Sequence, residues 1–295
     1  MVSAGTTGTH FVVTAAAPPA ERDWSELPVD ALSSVFAKLA AVELLMGAGL
    51  DPAGLPELWR SVDMAGHKMV EAMSSSALSA MATVAVDRSG GQLEVFVGKL
   101  FVNDELLKYI GDRASSLKKL HLISCNGVSN AGLAEAVTKF RLLEELEISL
   151  CSNVNERFVF ETVGKSCPKL THFRLNNNSI HRYGCSTSYK DKEAMGIATM
   201  TKLSSLRLFG SNLTNAGLTA ILDSCPLLET LDIRYCFNIK VDDTLREKCS
   251  GLKALRLPKD SIDDYEFQVQ LPIWGNLPFY VVDLISDDDD DDFGN

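Results

Sequence analysis

Leu117-Lys118-Lys119-Leu120-His121-Leu122-Ile123-Ser124-Cys125 and Leu143-Glu144-Glu145-Leu146-Glu147-Ile148-Ser149-Leu150-Cys151 share one pattern of apolar positions closed by a cysteine. Four further copies follow, on Leu170, Phe173, Leu175 and Asn178; Leu203, Leu206, Leu208 and Ser211; Leu228, Leu231, Ile233 and Cys236; and Leu252, Leu255, Leu257 and Asp260. Successive starts lie 26, 27, 33, 25 and 24 residues apart, a period that marks stacked solenoid units. A looser unit is expected from Gln92, with Val95, Val97 and Leu100 in its apolar positions.

Within each copy alternate residues are apolar, as in a strand buried on one face. The stretches after the strands read as helices, and Asn130–Val137 and Asn215–Leu222 are near copies of each other. One such unit cannot bury its apolar face alone. Six or seven stacked together bury a continuous ladder, at about 1.5 to 3 kcal/mol for each fully buried Leu or Ile. The expected fold class is therefore α/β, a solenoid with short parallel strands on its concave face and helices on its convex face. Cys125, Cys151 and Cys236 fall at the strand exit, and Cys167, Cys225 and Cys249 close the helices. They read as small buried fillers, since no His is placed to activate a thiolate. The seven cysteines contain no C-x-x-C pair, so neither a zinc site nor a disulfide framework is expected. Over Leu117–Leu257 this arrangement resembles the cysteine-containing class of leucine-rich repeats.

Ahead of the repeats, residues 1–22 are rich in Ala, Thr, Gly and Pro and read as a disordered leader. Leu27-Pro28 then opens an amphipathic helix in which Leu32, Val35, Phe36 and Leu39 share one face. A second helix is expected over Val42–Leu50, and Leu55-Pro56-Glu57-Leu58-Trp59-Arg60 closes the module with an aromatic anchor. This run resembles an F-box, and its combination with leucine-rich repeats resembles the plant F-box/leucine-rich-repeat proteins. The resemblance implies a non-catalytic substrate-recognition subunit of an SCF-type ubiquitin ligase, with the F-box on a Skp-type adaptor, the adaptor on a cullin, and the repeats on a target protein. It makes Leu27, Pro28, Leu32, Val35, Phe36 and Leu39 the adaptor-contacting positions, with Leu58 and Trp59 as closing apolar residues. Family members carry a further helix with a V-C-x-x-W signature before L-W, whereas here Asp51–Gly54 alone separates the second helix from Leu55. The small all-α module is thus a shortened F-box, and the alternative reading is a stand-alone repeat scaffold without ligase coupling. The expected division is a leader at 1–22, the helical module at 23–64, a linker at 65–91, repeats at 92–260, and a C-terminal cap with an acidic tail at 261–295.

Residues between the inward leucines line the concave sheet. Among them His121, Glu147, Arg174, Arg207, Phe209, Asp232, Arg234 and Arg256 are the candidate target-binding set, because Arg and aromatic side chains combine directed hydrogen bonds with desolvated area. The bland alternative is a solvated sheet face. The long repeat step puts Ser179–Lys192 on a loop able to reach over the same surface. Near the C-terminus, Val281, Val282, Leu284 and Ile285 precede an acidic run and look like a SUMO-interacting strand that would add to the edge of the modifier's sheet. The alternative there is a capping strand followed by a solvated tail.

Composition narrows the remaining classes. With 46% hydrophobic and 23% charged residues the chain has a globular balance. Its net charge is −11, and six of the negative charges are Asp287–Asp292, so no basic face for nucleic acid is expected. Apolar runs such as Phe11–Ala17 fall well short of the roughly 20 residues that span a bilayer, and without a basic signal-type leader a cytoplasmic or nuclear protein is expected. No phosphate-binding glycine loop, H-E-x-x-H or nucleophile with its base is present. Catalytic, cofactor and metal sites are accordingly not expected.

Overall fold

The computed structural model describes residues 41–47, 55–176 and 191–266. Within them eight strands form one parallel sheet in strict chain order: β1 Ser61–Asp63, β2 Val95–Lys99, β3 Lys119–Ile123, β4 Glu145–Ser149, β5 His172–Asn176, β6 Ser205–Phe209, β7 Thr230–Asp232 and β8 Ala254–Arg256. Strands that are neighbours in both sequence and space, each joined by a covering helix, define a solenoid. The helices are α1 Ala41–Gly47, α2 Ser75–Arg88, α3 Asp104–Arg113, α4 Asn130–Val137, α5 Arg157–Ser166, α6 Lys192–Ile197, α7 Asn215–Ser224 and α8 Asp243–Cys249.

Strand register explains why the apolar positions had to repeat. Val62, Phe96, Leu120, Leu146, Phe173, Leu206, Leu231 and Leu255 are successive cross-strand partners. All but Leu255 are buried. Slipping one strand by a residue would turn its whole apolar set to water. In five of the units the strand exit bends sharply through a left-handed residue: Leu100, Ser124, Leu150, Gly210 and Tyr235 have φ between 54° and 74°. Side chains other than glycine are costly there, so the turn is imposed by the stacking and not by local preference.

Two units escape the leucine pattern. The expected unit from Gln92 exists, but one residue out of step with its expected positions. Phe96 and Gly98, not Val95 and Val97, pair with the inward Leu120 and Leu122, and Leu93 and Phe101 are buried while Leu100 is exposed. Gly98 stands in a leucine position because a Cβ there would run into the Val102 side chain, with the Phe96 ring 3.2 Å away. A still earlier unit is built on Trp59, Val62 and Met64, all fully buried, and the stretch 65–91 that reads as a linker holds its helix, α2. The physical reason is that Trp59, Met64 and Phe96 are apolar and fully buried without being leucines, so the core persists where the motif does not. Helix α1 seals this end of the core, burying Ala41, Val42 and Leu44.

Repeat joins to repeat on the convex side through a polar relay. The Asp104 carboxylate accepts from the Ser129 backbone N–H (2.8 Å) and hydroxyl (2.6 Å), and Ser129 in turn caps α4 by accepting from Gly132 N–H. Asp191 does the same for Thr214, at 2.6 and 2.7 Å. Asn130 Oδ1 accepts from the N–H groups of Asn155 (2.9 Å) and Glu156 (3.0 Å), and Asn215 Oδ1 from Lys240 N–H (2.8 Å). The two near-copy segments are thus alike because each starts a helix and clamps the next unit. Their glycines follow from the same contact, since a Cβ at Gly132 would collide with the Asp104 carboxylate and one at Gly217 with that of Asp191.

Strand-exit thiols reinforce the relay. Cys125 donates to Gly98 C=O, Cys151 to Leu122 C=O and Cys236 to Leu208 C=O, at 3.5, 3.4 and 3.1 Å. Burial pushes the Cys236 and Cys167 thiols up to about 12 and Cys225 to about 11, which keeps them protonated donors and poor nucleophiles.

Gly217→Ala tests the relay against simple propensity. Helix propensity alone would stabilise α7 by about 1 kcal/mol, whereas the Asp191 collision should destabilise by about 1 to 3 kcal/mol. We expect a lower urea midpoint; a raised one would remove the steric role given to this glycine.

Candidate functional site

On the concave face the residues between the leucines stand in rows, and one row reads His121, Glu147, Arg174, Arg207, Asp232 and Arg256 across β3 to β8. Directly opposed pairs on a sheet face are about 4.5 to 5.5 Å apart at Cβ, so unlike neighbours attract and like neighbours conflict. Arg174 beside Arg207 is the conflict. Arg174 is satisfied from two sides, by Glu147 at 3.6 Å and by Glu266 at 2.9 Å. Arg207 is exposed, and no carboxylate pairs with it among the described residues.

Glu147 is 7% exposed and accepts from the Ser149 hydroxyl at 2.6 Å, with His121 Nδ1 at 3.7 Å. The other His121 nitrogen meets Glu145 at 2.9 Å. Burial by itself would raise the Glu145 carboxyl, but Lys119 and His121 outweigh it and hold that group below its ordinary value. Between this polar cluster and Arg207 lies a cavity of about 340 Å³ that Glu266 also borders.

Arg234 is the most constrained charge on the face, 4% exposed. Its Nε and Nη2 donate to Asp232 at 3.0 and 2.8 Å, a two-point grip, while Nη1 donates to Ser261 C=O at 2.8 Å and to the Asp264 carboxylate. Arg256 approaches the same Asp264 at 3.6 Å. A buried guanidinium is tolerable only when fully engaged, and here part of that engagement comes from beyond the last strand.

That engagement is a strap, Ser261–Glu266, lying across the concave side of β5 to β8. Tyr265 stacks on Phe209 with ring centroids 3.9 Å apart and planes 15° from parallel, and Phe209 stacks on Tyr235 at 4.9 Å and 17°. The guanidinium carbons of Arg174 and Arg234 each lie 5.9 Å from the Tyr265 ring centre, within cation–π reach. Burial pushes the Tyr265 phenol above its ordinary value, keeping it neutral.

Of the expected target-binding residues, Arg174, Phe209, Asp232 and Arg234 therefore come together under the chain's own strap. Arg207 and Arg256 stay exposed beside it, and His121 with Glu147 flank the neighbouring cavity. Asp264, Tyr265 and Glu266 were not anticipated, although an aromatic between two acids facing an arginine row is a readable signal once the strands are in register. Of the closing residues, Leu58 is partly buried and Trp59 is wholly buried beneath the first strand with Arg88 5.3 Å over its ring. Leu27, Pro28, Leu32, Val35, Phe36 and Leu39 lie outside the described residues, as do Val281, Val282, Leu284, Ile285 and Ser179–Lys190. Among the described residues no cluster of three His, Cys, Asp or Glu side chains is placed to hold a metal, and no helix is long and apolar enough to cross a membrane.

The parallel sheet in strict chain order, with a helix joining each pair of neighbouring strands, defines a leucine-rich-repeat solenoid with a charged concave face. No family model matches the chain. It is 40% identical over 251 residues to putative F-box/LRR-repeat protein 23 of Arabidopsis thaliana, an alignment spanning 82% of this chain and 55% of that longer protein. It is 36% identical to putative F-box/LRR-repeat protein 22 (84% and 80% of the two chains) and 35% identical to F-box protein SKIP19 (95% and 93%), both from Arabidopsis thaliana. The chain belongs to the plant F-box/leucine-rich-repeat family. Among solved structures, the yeast Rad7 and Elc1 complex is similar at a TM-score of 0.41 and 15% identity, covering 62% of this chain and 42% of that one.

The strap should respond to acid. Arg234 holds the Asp264 carboxyl below the ordinary 3.8, so its contribution is complete above that value and is lost as pH falls through the lowered one. We expect the near-ultraviolet circular dichroism of the Tyr265–Phe209 stack to weaken over that range in the parent and to be weakened already at neutral pH in Asp264→Asn. Superimposable titrations of the two chains would contradict this.

Proposed function

We propose that the protein is a substrate-recognition subunit of an SCF-type ubiquitin ligase, docking a Skp-type adaptor through its N-terminal module and, through it, a cullin, and holding a target protein on the repeats. The observation that carries this reading is the 35% identity to F-box protein SKIP19 along 95% of the chain, which takes in the N-terminal module and the solenoid alike. The geometry supports it: α1 and Trp59 fuse the module to the first repeat, so an adaptor held at that end would be fixed relative to a target on the concave sheet. In this role the chain positions substrates, and its partners carry out ubiquitin transfer.

The sequence offers only Asp51–Gly54 between the expected second helix, Val42–Leu50, and Leu55, and this shortened stretch favours a second reading, a repeat scaffold that binds its partner without ligase coupling. Capture of a purified Skp-type adaptor separates the two. The full chain should retain the adaptor at micromolar concentration, and Leu32→Asp with Phe36→Asp should abolish retention. No retention by the parent would leave the scaffold reading.

We also propose that Val281–Ile285 with the following Asp run binds SUMO by strand addition, because an apolar strand followed by acids suits both the edge of a sheet and a basic rim. Titrating labelled SUMO should give saturable shifts with the full chain that Val282→Ala/Leu284→Ala reduces at least about tenfold, as loss of two pocket-filling groups at ~1 kcal/mol or more each implies. Equal affinities would remove the motif.

A further inference from the structure

The strap is a ligand already seated on the concave face. Its segment Ser261–Glu266 belongs to no strand of the sheet. The Tyr265 ring sits on Phe209 between two guanidinium groups, and the acids on either side of it meet Arg234, Arg256 and Arg174. These are the elements of recognition for a short acidic peptide with a central aromatic: one stacked ring, and carboxylates flanking it on a guanidinium row.

Resting on the target-holding role proposed above, we infer that the concave face of β5 to β8 recognises an acidic-aromatic peptide in its target, and that Asp264-Tyr265-Glu266 occupies this site in cis until such a peptide displaces it. Three observations support exchange over permanent closure. First, the receptor side is organised without the strap: Asp232 grips Arg234 at two points, Tyr235 stacks on Phe209, and Glu147 pairs with Arg174. Departure of the strap would open Arg234 to solvent with its partner still in place. Second, Asp263, Asp264 and Glu266 are exposed, so the strap's carboxylates can return to water on leaving and none is stranded in the core. Third, the strap leaves Arg207 unanswered. This exposed guanidinium is the cross-strand partner of Arg174 and of Asp232, and it borders both the 340 Å³ cavity and the 240 Å³ cavity beneath Tyr265. A target carrying one more acid beyond the aromatic would engage Arg207 and gain a contact that the strap lacks. That difference is what lets an intermolecular ligand displace a tethered one, whose local concentration is on the order of millimolar.

A fluorescein-labelled peptide of the strap sequence, Asp260 to Glu266, serves as the probe. Binding to the full-length chain is followed by fluorescence anisotropy, for the parent and for Asp264→Asn/Tyr265→Ala/Glu266→Gln. Removing the cis competitor should tighten peptide binding by about tenfold or more, since apparent affinity scales with the fraction of open site. A peptide with Ala in place of the tyrosine should not bind, and Arg207→Glu in the strap variant should weaken a peptide extended by a further acidic residue more than it weakens the parent peptide. Equal affinity of parent and strap variant, absence of saturable binding to a strap variant that melts like the parent, or equal binding of the tyrosine-less peptide would each overturn the inference. Should the strap variant fail to fold, hydrogen exchange on the parent decides: millimolar unlabelled peptide should accelerate exchange at the Tyr265 amide, which bonds Ile262 C=O at 2.9 Å, and unchanged exchange would overturn it. Adaptor capture depends on the opposite end of the chain. Failed peptide exchange with adaptor capture intact therefore counts against this inference alone, and lost capture with exchange intact counts against the ligase reading alone.

Discussion

The register that joins Val62, Phe96, Leu120, Leu146, Phe173, Leu206, Leu231 and Leu255 across eight parallel strands decides where every neighbouring side chain points. With these residues turned to the core, the residues between them must face the concave side, and the charged row from His121 to Arg256 follows without further instruction. Parallel strands need a crossover of a dozen or more residues, and the helices supply it while covering the other side of the ladder. Concave chemistry and convex packing are therefore two consequences of one constraint.

The constraint also accounts for the residues that look out of place. Non-glycine residues at positive φ recur at the strand exit because stacking leaves that turn no room to relax. Gly132 and Gly217 sit inside helices, against their propensity, because the Asp carboxylates of the preceding unit occupy the space where a Cβ would be. Cysteine suits the exit because a small thiol both fills the corner and bonds the carbonyl of the unit before it. None of these choices is explained by its own unit. Each is explained by the adjacent one.

Function inherits this one-dimensional order and breaks it at one end. Along most of the sheet, neighbours in space are neighbours in the repeat sequence. The strap is the exception: it returns from beyond β8 to place Glu266 on Arg174, 92 residues earlier in the chain. A solenoid without such a return would present a continuous open face. Here the half richest in arginine carries a segment of opposite charge, while Arg207 beside it is exposed and meets no carboxylate among the described residues.

Sequence alone determined the period, the identity of strands and helices from Leu117 onward, and which side chains line the concave face, because burial in a repeat is local and periodic. It determined the family as well, since the apolar helix faces and the repeat consensus are both linear patterns. Only the tertiary structure decided that Trp59 and Phe96 belong to two further units, because a buried aromatic ring in place of a leucine preserves the core while erasing the motif. Only it decided that the arginine cluster is partly engaged from within, because pairing Arg174 with Glu266 and Phe209 with Tyr265 depends on how the chain folds back after its last strand, a long-range event that leaves no periodic trace in the order of residues.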